Sequence, residues 1–333
     1  MSESATSKHP APRLIADIGG TNARFALEVG GDIRAEHVLA CAAYPTLTEA
    51  AQQYLRGADV AAFGAPHEAC VAVACPVVGD HIAMTNHVWS FSARATRQAL
   101  GLARLIFIND FTALALSLPH LPARGQQQIG GGSRIAGQAI ALIGPGTGLG
   151  VSGLVPVGEG WVPLGGEGGH VTLPAMDERE FAVLRLLHRD HRHVSAERIL
   201  SGPGLELLYR TLCELDGLSG EALSAEAITA QALSLNSGLC RETLTMFCGW
   251  LGTIAGDLAL TLGARGGVFI GGGIAPRIPE FLAKSPFRAR FEAKGRMAAY
   301  LAPIATVLIT AQNPALIGCA RAFFDASPRV EAG

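Results

Sequence analysis

Continuous apolar runs closed by glycine turns set the pattern of the first third of this chain. Residues 14–18, 24–29, 71–76 and 105–108 read as strands, their apolar residues running on without regular polar alternation. Unbroken runs of this kind suit strands covered on both faces, as in α/β proteins. Helical segments are expected between them at 46–55, 92–100 and 111–118. The second half repeats the scheme, with strands at 139–143, 151–155 and 268–270 and helices near 178–190, 203–214 and 240–263. In the last of these helices Leu244, Phe247, Leu251, Ile254, Leu258 and Leu262 recur at spacings of three and four, one apolar face that should pack on a sheet. Residues 306–309 and 313–323 read as a final strand and helix. The expected fold is therefore two α/β halves with a cleft between them.

Two of the glycine turns share a composition. Asp17, Ile18, Gly19, Gly20, Thr21 and Asn22 follow one apolar strand, and Gly144, Pro145, Gly146, Thr147, Gly148, Leu149 and Gly150 follow another. In each case a second apolar stretch leaves the turn, so both read as hairpins whose tips expose backbone N–H groups. Such N–H groups, with a threonine hydroxyl, make an anion cradle. A Walker loop is excluded, because Lys8, Lys284 and Lys294 are the only lysines and none follows such a glycine run. A dinucleotide fingerprint is disfavoured because the 144–150 turn leads into a strand and not a helix. Two cradles half a chain apart suggest a duplicated scaffold closing on a nucleotide from both sides.

Composition narrows the classes further. A chain of 333 residues, 49% apolar and 16% charged, is a well-buried globular protein with two domains as the default. A net charge of −2 without any Lys/Arg run argues against nucleic acid and anionic membrane as partners. The stretch 251–274 is apolar enough to raise a membrane span, but Asp257, Arg265 and its glycines favour a buried helix leading into a buried strand. Seven cysteines without a C-x-x-C pair read as reduced core thiols of a cytoplasmic protein. Residues 1–11 are expected to form a loose polar tail.

Four further groups carry candidate chemistry. Asn109 and Asp110 sit where an apolar strand meets a helix, a working position in α/β enzymes and equally a capping pair. Gly165, Gly166, Glu167, Gly168, Gly169 and His170 form a run too rich in glycine for a helix, which lets a ligand approach while two polar side chains converge. Residues 195–204 bring Glu197 ahead of a Pro-Gly break and read as a helix end. Gly271, Gly272 and Gly273 form a third turn, open either to an adenine or ribose edge or to turn geometry alone. His188, His191 and His193 lie among arginines and read as a solvated helix face, not a metal site.

Taken together, these segments resemble the bacterial glucokinase family of the sugar-kinase, actin and heat-shock ATPase superfamily. The matching stretches are DIGGTNARF (17–25), MTNHVWSFS (84–92), INDFTA (108–113), GPGTGLGV (144–151), GEGGHV (166–171), HVSAERILSGPG (193–204) and GGVFIGGGIAPR (266–277). The resemblance implies a duplicated actin-like, ribonuclease H-like ATPase fold. Its smaller domain would take residues 12–118 and 309–330, its larger one 119–308, with glucose in the cleft. It implies Asp110 as general base on the 6-hydroxyl, with Asn109, Glu167, His170 and Glu197 holding the other hydroxyls. Asp17, Gly19, Gly20, Thr21 and Asn22, and Gly144, Gly146, Thr147 and Gly148, would face the phosphates of ATP. Gly271, Gly272 and Gly273 would lie towards adenosine, and Asp17 would steer Mg²⁺ through water. The zinc-binding C-x-C-G-x-x-G-C run of the related ROK group is absent after His170, so no zinc is expected. Gly165 stands where the family usually has proline. A homodimer is implied as well. Competing expectations are a sugar-sensing protein of the same fold, a kinase for another hexose, and polyphosphate or ADP as donor. A carboxylate acceptor is disfavoured, since Glu167 and Glu197 would repel it.

Overall fold

The structure, a computed structural model, describes residues 11–85, 87–219, 221–234, 238–324 and 330–331. Nearly all of the expected polar tail, and Asn86 within the 84–92 motif, lie outside the described residues. The strands are β1 (Arg13–Ile18), β2 (Asn22–Val29), β3 (Asp32–Ala40), β4 (Glu68–Val73), β5 (His81–Ala83), β6 (Ser90–Ser92) and β7 (Arg104–Asn109). They continue with β8 (Gln126–Gln128), β9 (Ile140–Pro145), β10 (Leu149–Val157), β11 (Gly160–Gly165), β12 (Val268–Ile270), β13 (Thr306–Ile309) and β14 (Val330–Glu331). The helices are α1 (Leu47–Leu55), α2 (Ala58–Ala61), α3 (Ala93–Ala99), α4 (Asp110–Ser117), α5 (Glu178–Asp190), α6 (Ala196–Ile199) and α7 (Gly202–Leu215). After them come α8 (Ala225–Leu233), α9 (Gly238–Leu262), α10 (Pro279–Lys284), α11 (Phe287–Glu292), α12 (Ala298–Leu301) and α13 (Pro314–Arg321).

The chain forms two compact units. The first takes residues up to Leu121, Val157–Leu164 and the chain from Gln312 on; the second takes Pro122–Pro156 and Gly165–Ala311. Each major sheet repeats one plan. The first runs β14-β7-β4-β1-β2-β3 and the second β11-β10-β9-β12-β13-β8. In the first, β1 forms an antiparallel hairpin with β2 and a parallel pair with β4, which pairs in parallel with β7. In the second, β9 forms a hairpin with β10 and a parallel pair with β12, which pairs in parallel with β13. The duplicated α/β halves expected from the chain are therefore present as duplicated sheets.

Local chemistry explains the elements. Leu14, Ile15 and Ala16 of β1, the whole of β9, and Leu105 to Ile108 of β7 are buried, as their unbroken apolar runs require. Thr46, Ser92, Asp177 and Ser224 each cap a helix by accepting a backbone N–H three residues on. The 71–76 run is a strand only to Val73; the Cys75 N–H bonds back to the Val73 carbonyl and turns the chain. β3 escapes the apolar-run reading because it alternates exposed and half-buried residues at a sheet edge.

The long helix α9 departs from the single-face expectation. Residues 247–256 are buried all round, because α9 packs against α7, α8 and α11 as well as β9. By length and composition it would suffice to cross a membrane, yet most of it is buried within its unit. Three polar groups bind it down: Trp250 Nε1 donates to the Pro174 carbonyl, Arg290 Nε to Thr253 Oγ1, and Lys294 Nζ to the Thr253 carbonyl. All seven cysteines are buried and unpaired.

Candidate active site

In the first unit the site begins at the tip of the β1–β2 hairpin. The Gly19 N–H donates to the Asn22 carbonyl at 3.0 Å, closing the turn and leaving Gly20 and Thr21 at its tip. Hairpin register puts Asp17 opposite Arg24, and their side chains pair at 3.6 Å. Asp17 lies at the carboxyl end of a buried parallel strand, and burial raises its pKa against the lowering pull of Arg24. Parallel pairing of β4 with both β1 and β7 brings the ends of these strands to one edge of the sheet.

At that edge Asn109 ends β7 and Asp110 opens α4. Asn109 is the helix cap: its Oδ1 accepts the Phe111 N–H at 2.9 Å, and its Nδ2 reaches the Cys75 carbonyl at 3.3 Å. Asp110 Oδ1 accepts the same Phe111 N–H at 2.9 Å. Of the two alternatives posed by the sequence the capping is present, at Asn109, and a buried carboxylate, Asp110, stands beside it. Burial, followed by the nearby negative charge of Asp17, pushes the Asp110 carboxyl up from 3.8 to about 6, against lowering by the Phe111 and Asp110 N–H groups and Asn109. Burial and the charge of Asp110 in turn push the Cys75 thiol up to about 11.

The second unit gathers the other sequence-derived residues. The β9–β10 turn is closed by the Gly146 N–H on the Gly148 carbonyl at 2.8 Å. Two neighbours hold it: the Ile274 N–H donates to the Pro145 carbonyl at 3.1 Å, and the Gly202 N–H to the Gly146 carbonyl at 2.8 Å. The turn of Gly271, Gly272 and Gly273 leaves β12 alongside it, with the Gly271 N–H on the Ile143 carbonyl. Gly272 has φ of +77°, and a Cβ there would stand 2.3 Å from the Pro145 carbonyl oxygen, so only glycine fits.

Glu167 precedes and His170 ends a single 3₁₀ turn, Gly168–His170, where the sequence had argued against helix; one turn is all that the glycines support. A bridge between Thr172 and Ser195, with the Ala196 N–H on the Val171 carbonyl, draws the following segment alongside. It brings Glu197 Oε1 to 4.0 Å from His170 Nδ1. Glu197 Oε2 accepts the Leu149 N–H at 2.8 Å. The 195–204 segment is not a helix end: Ser195 caps the start of α6 and Ser201 the start of α7. Among residues the sequence had not singled out, Arg24 is half-buried beside Asp17, and Cys75 presents its carbonyl to Asn109. Arg24 lay within a quoted motif, but only hairpin register discloses its partner. No group of three metal-binding side chains occurs among the described residues, and His188 and His193 instead bond the His191 carbonyl and Thr172 Oγ1.

The glucokinase family profile matches residues 14–326. This chain belongs to the glucokinase family. Glucokinase of Aromatoleum aromaticum is 53% identical over 323 residues, which cover 95% of each protein. The bifunctional protein glk of Burkholderia pseudomallei is 52% identical over 94% of this chain, but the chain spans only 49% of that relative's length. A crystal structure of glucokinase from an Antarctic psychrotroph superposes with a TM-score of 0.86 at 39% identity, covering 94% of this chain and 98% of that one. The two sheets are those of the duplicated actin-like ATPase fold shared by these glucokinases.

Proposed function

We propose that this chain transfers the γ-phosphoryl group of ATP to the 6-hydroxyl of glucose, giving glucose 6-phosphate and ADP. The environment of Asp110 carries the reading. A carboxylate held near pKa 6 by burial and by Asp17 is a proton acceptor that works close to neutrality. Asp110 takes the 6-hydroxyl proton as the oxygen attacks, and Asn109, fixed by its cap and its Cys75 contact, orients the neighbouring hydroxyl. Glu167, His170 and Glu197 supply acceptors and a donor for the remaining hydroxyls. Their two carboxylates favour a neutral hexose over an anionic acceptor.

Phosphoryl transfer rests on positioning and charge neutralisation. In this reading the N–H groups around Gly20, Thr21, Thr147 and Gly148 face the phosphates, and Gly271, Gly272 and Gly273 lie towards adenosine. Two carboxylates on one sheet edge, without a third protein ligand among the described residues, suit Mg²⁺ that keeps its waters and its phosphates. Asp17 would hold that ion through water, and the ion would neutralise phosphate charge. His170 leads into Val171, Thr172 and Leu173 without a cysteine, which supports a place outside the zinc-binding ROK group. Seven buried, unpaired thiols support a reducing cytoplasm, and the family resemblance supports a homodimer.

The test is ADP release from Mg-ATP in a coupled assay with glucose, mannose, fructose, glucosamine and no sugar. Strong glucose-dependent turnover is expected. Tight glucose binding without turnover from ATP would refute the proposed reaction and point to a sensor or another donor.

A further inference from the structure

Within the second unit one side chain belongs to both the hexose residues and the phosphate turn. Glu197 divides its carboxylate: Oε1 faces His170 at 4.0 Å, while Oε2 takes the Leu149 N–H at 2.8 Å. The backbone after it completes a grip on the turn. Ser201 Oγ donates to the Glu197 carbonyl at 2.9 Å, and the next residue, Gly202, donates its N–H to the Gly146 carbonyl at 2.8 Å. Segment 197–202 therefore holds the 146–149 turn at both ends. Between those ends the Thr147 and Gly148 N–H groups have no acceptor among the described residues. Packing is tight: a Cβ on Gly148 would stand 2.5 Å from Glu197 Oε2.

We propose that Glu197 is a positioning residue that couples hexose occupancy to nucleotide affinity through the Leu149 N–H. The inference rests on the reading in which Glu197 and His170 hold glucose hydroxyls. Glu197 is about one-third exposed and His170 more than half, so their outer atoms, 4.0 Å apart, are open to a hydroxyl from solvent. A hydroxyl donating to Oε1 fixes the carboxylate in one rotamer, which keeps Oε2 on the Leu149 N–H and the turn in its anion-binding shape. The nucleotide then meets a turn whose ordering has already been met by the sugar, and positive cooperativity follows without a large movement.

The test measures the dissociation constant of Mg-ADP by calorimetry, with and without saturating glucose. Its readout is the ratio of the two constants. Wild type should show a ratio of roughly 5 to 10, within the usual range of such couplings. Glu197→Gln keeps side-chain length and an acceptor for Leu149, and should retain most of that ratio. Glu197→Asp withdraws the carboxylate by one methylene, and Gly148→Ala pushes it off the turn; both should bring the ratio to about 1. A purely structural role would shift both constants together and leave the ratio unmoved. An unchanged ratio in both disruptive variants, or a ratio of 1 in a wild type that phosphorylates glucose, overturns the coupling alone. A wild type that binds no glucose overturns the proposed function and the coupling with it.

Discussion

Asp110→Asn separates the chemistry of the first unit from its stability. The carboxyl is raised from 3.8 to about 6, a change of roughly 2 units, or about 3 kcal/mol between its two protonation states. With ionised Asp110 as the proposed base, wild-type kcat/KM should fall on the acid side with an apparent pKa near 6. At pH 7 about 90% of the enzyme would carry the ionised base, and at pH 5 only about 10%. Had the carboxyl kept its ordinary value of 3.8, more than about 90% would still be ionised at pH 5. The asparagine variant should bind glucose but lose about 10²- to 10⁴-fold in kcat, equivalent to about 3–5 kcal/mol of barrier.

Stability moves the other way. The folded state holds this proton up to higher pH than the unfolded chain does. Wild type therefore loses stability as pH rises from 3.8 through about 6, and above that window carries the cost of a buried charge. Asp110→Asn removes that cost, so its melting temperature should exceed wild type at pH 7, with the gap narrowing towards pH 5. The assays are kcat/KM against pH, glucose calorimetry and thermal unfolding at two pH values. Near-normal kcat in the variant, or a wild-type acid limb near 4, would refute the assignment of Asp110 as base.

Three other consequences can be checked with small sets of variants. Asp17→Asn removes the like charge that helps raise Asp110, so the acid limb of whatever activity remains should move to lower pH; an unmoved limb would mean that the two carboxylates do not interact. Glu180 is buried and paired with Arg290 at 2.8 Å, so Arg290→Ala should leave an uncompensated charge and cost about 3–5 kcal/mol in denaturant unfolding. Glu180→Gln combined with Arg290→Met should recover much of that loss; an equally unstable double variant would show that packing, not charge, sets the effect. All seven thiols are buried, and Cys75 is held at about pKa 11, so the native protein at pH 7.5 should react with a thiol reagent only as fast as it unfolds. Rapid labelling of Cys75 in the folded protein would contradict its described surroundings.

Much of this architecture was legible because it is local. An apolar run into a glycine turn specifies a hairpin within about ten residues, and both the 17–22 and 144–150 turns are hairpin tips as read. Strands 268–270 and 306–309 and the helix at 178–190 have the expected bounds for the same reason. Local pattern failed where neighbours distant in sequence decide the outcome. β3 is an edge strand whose polar alternation reflects its position in the sheet, and α9 is buried all round because helices from separate parts of the chain surround it.

The candidate site divides along the same line. Sequence alone determined which residues are available: a carboxylate at a strand end, glycines at three turns, and a glutamate and histidine among glycines. Tertiary structure decided what those groups are chemically. Asp110 gains its raised pKa from burial and from Asp17, 93 positions away in the chain and separated from its strand by β4. Glu197 meets Leu149 across 48 positions because a bridge between residues 172 and 195 folds one segment over the other. Residue type and turn geometry are encoded within a few positions of the chain, whereas desolvation and charge proximity arise only once distant segments exclude water together.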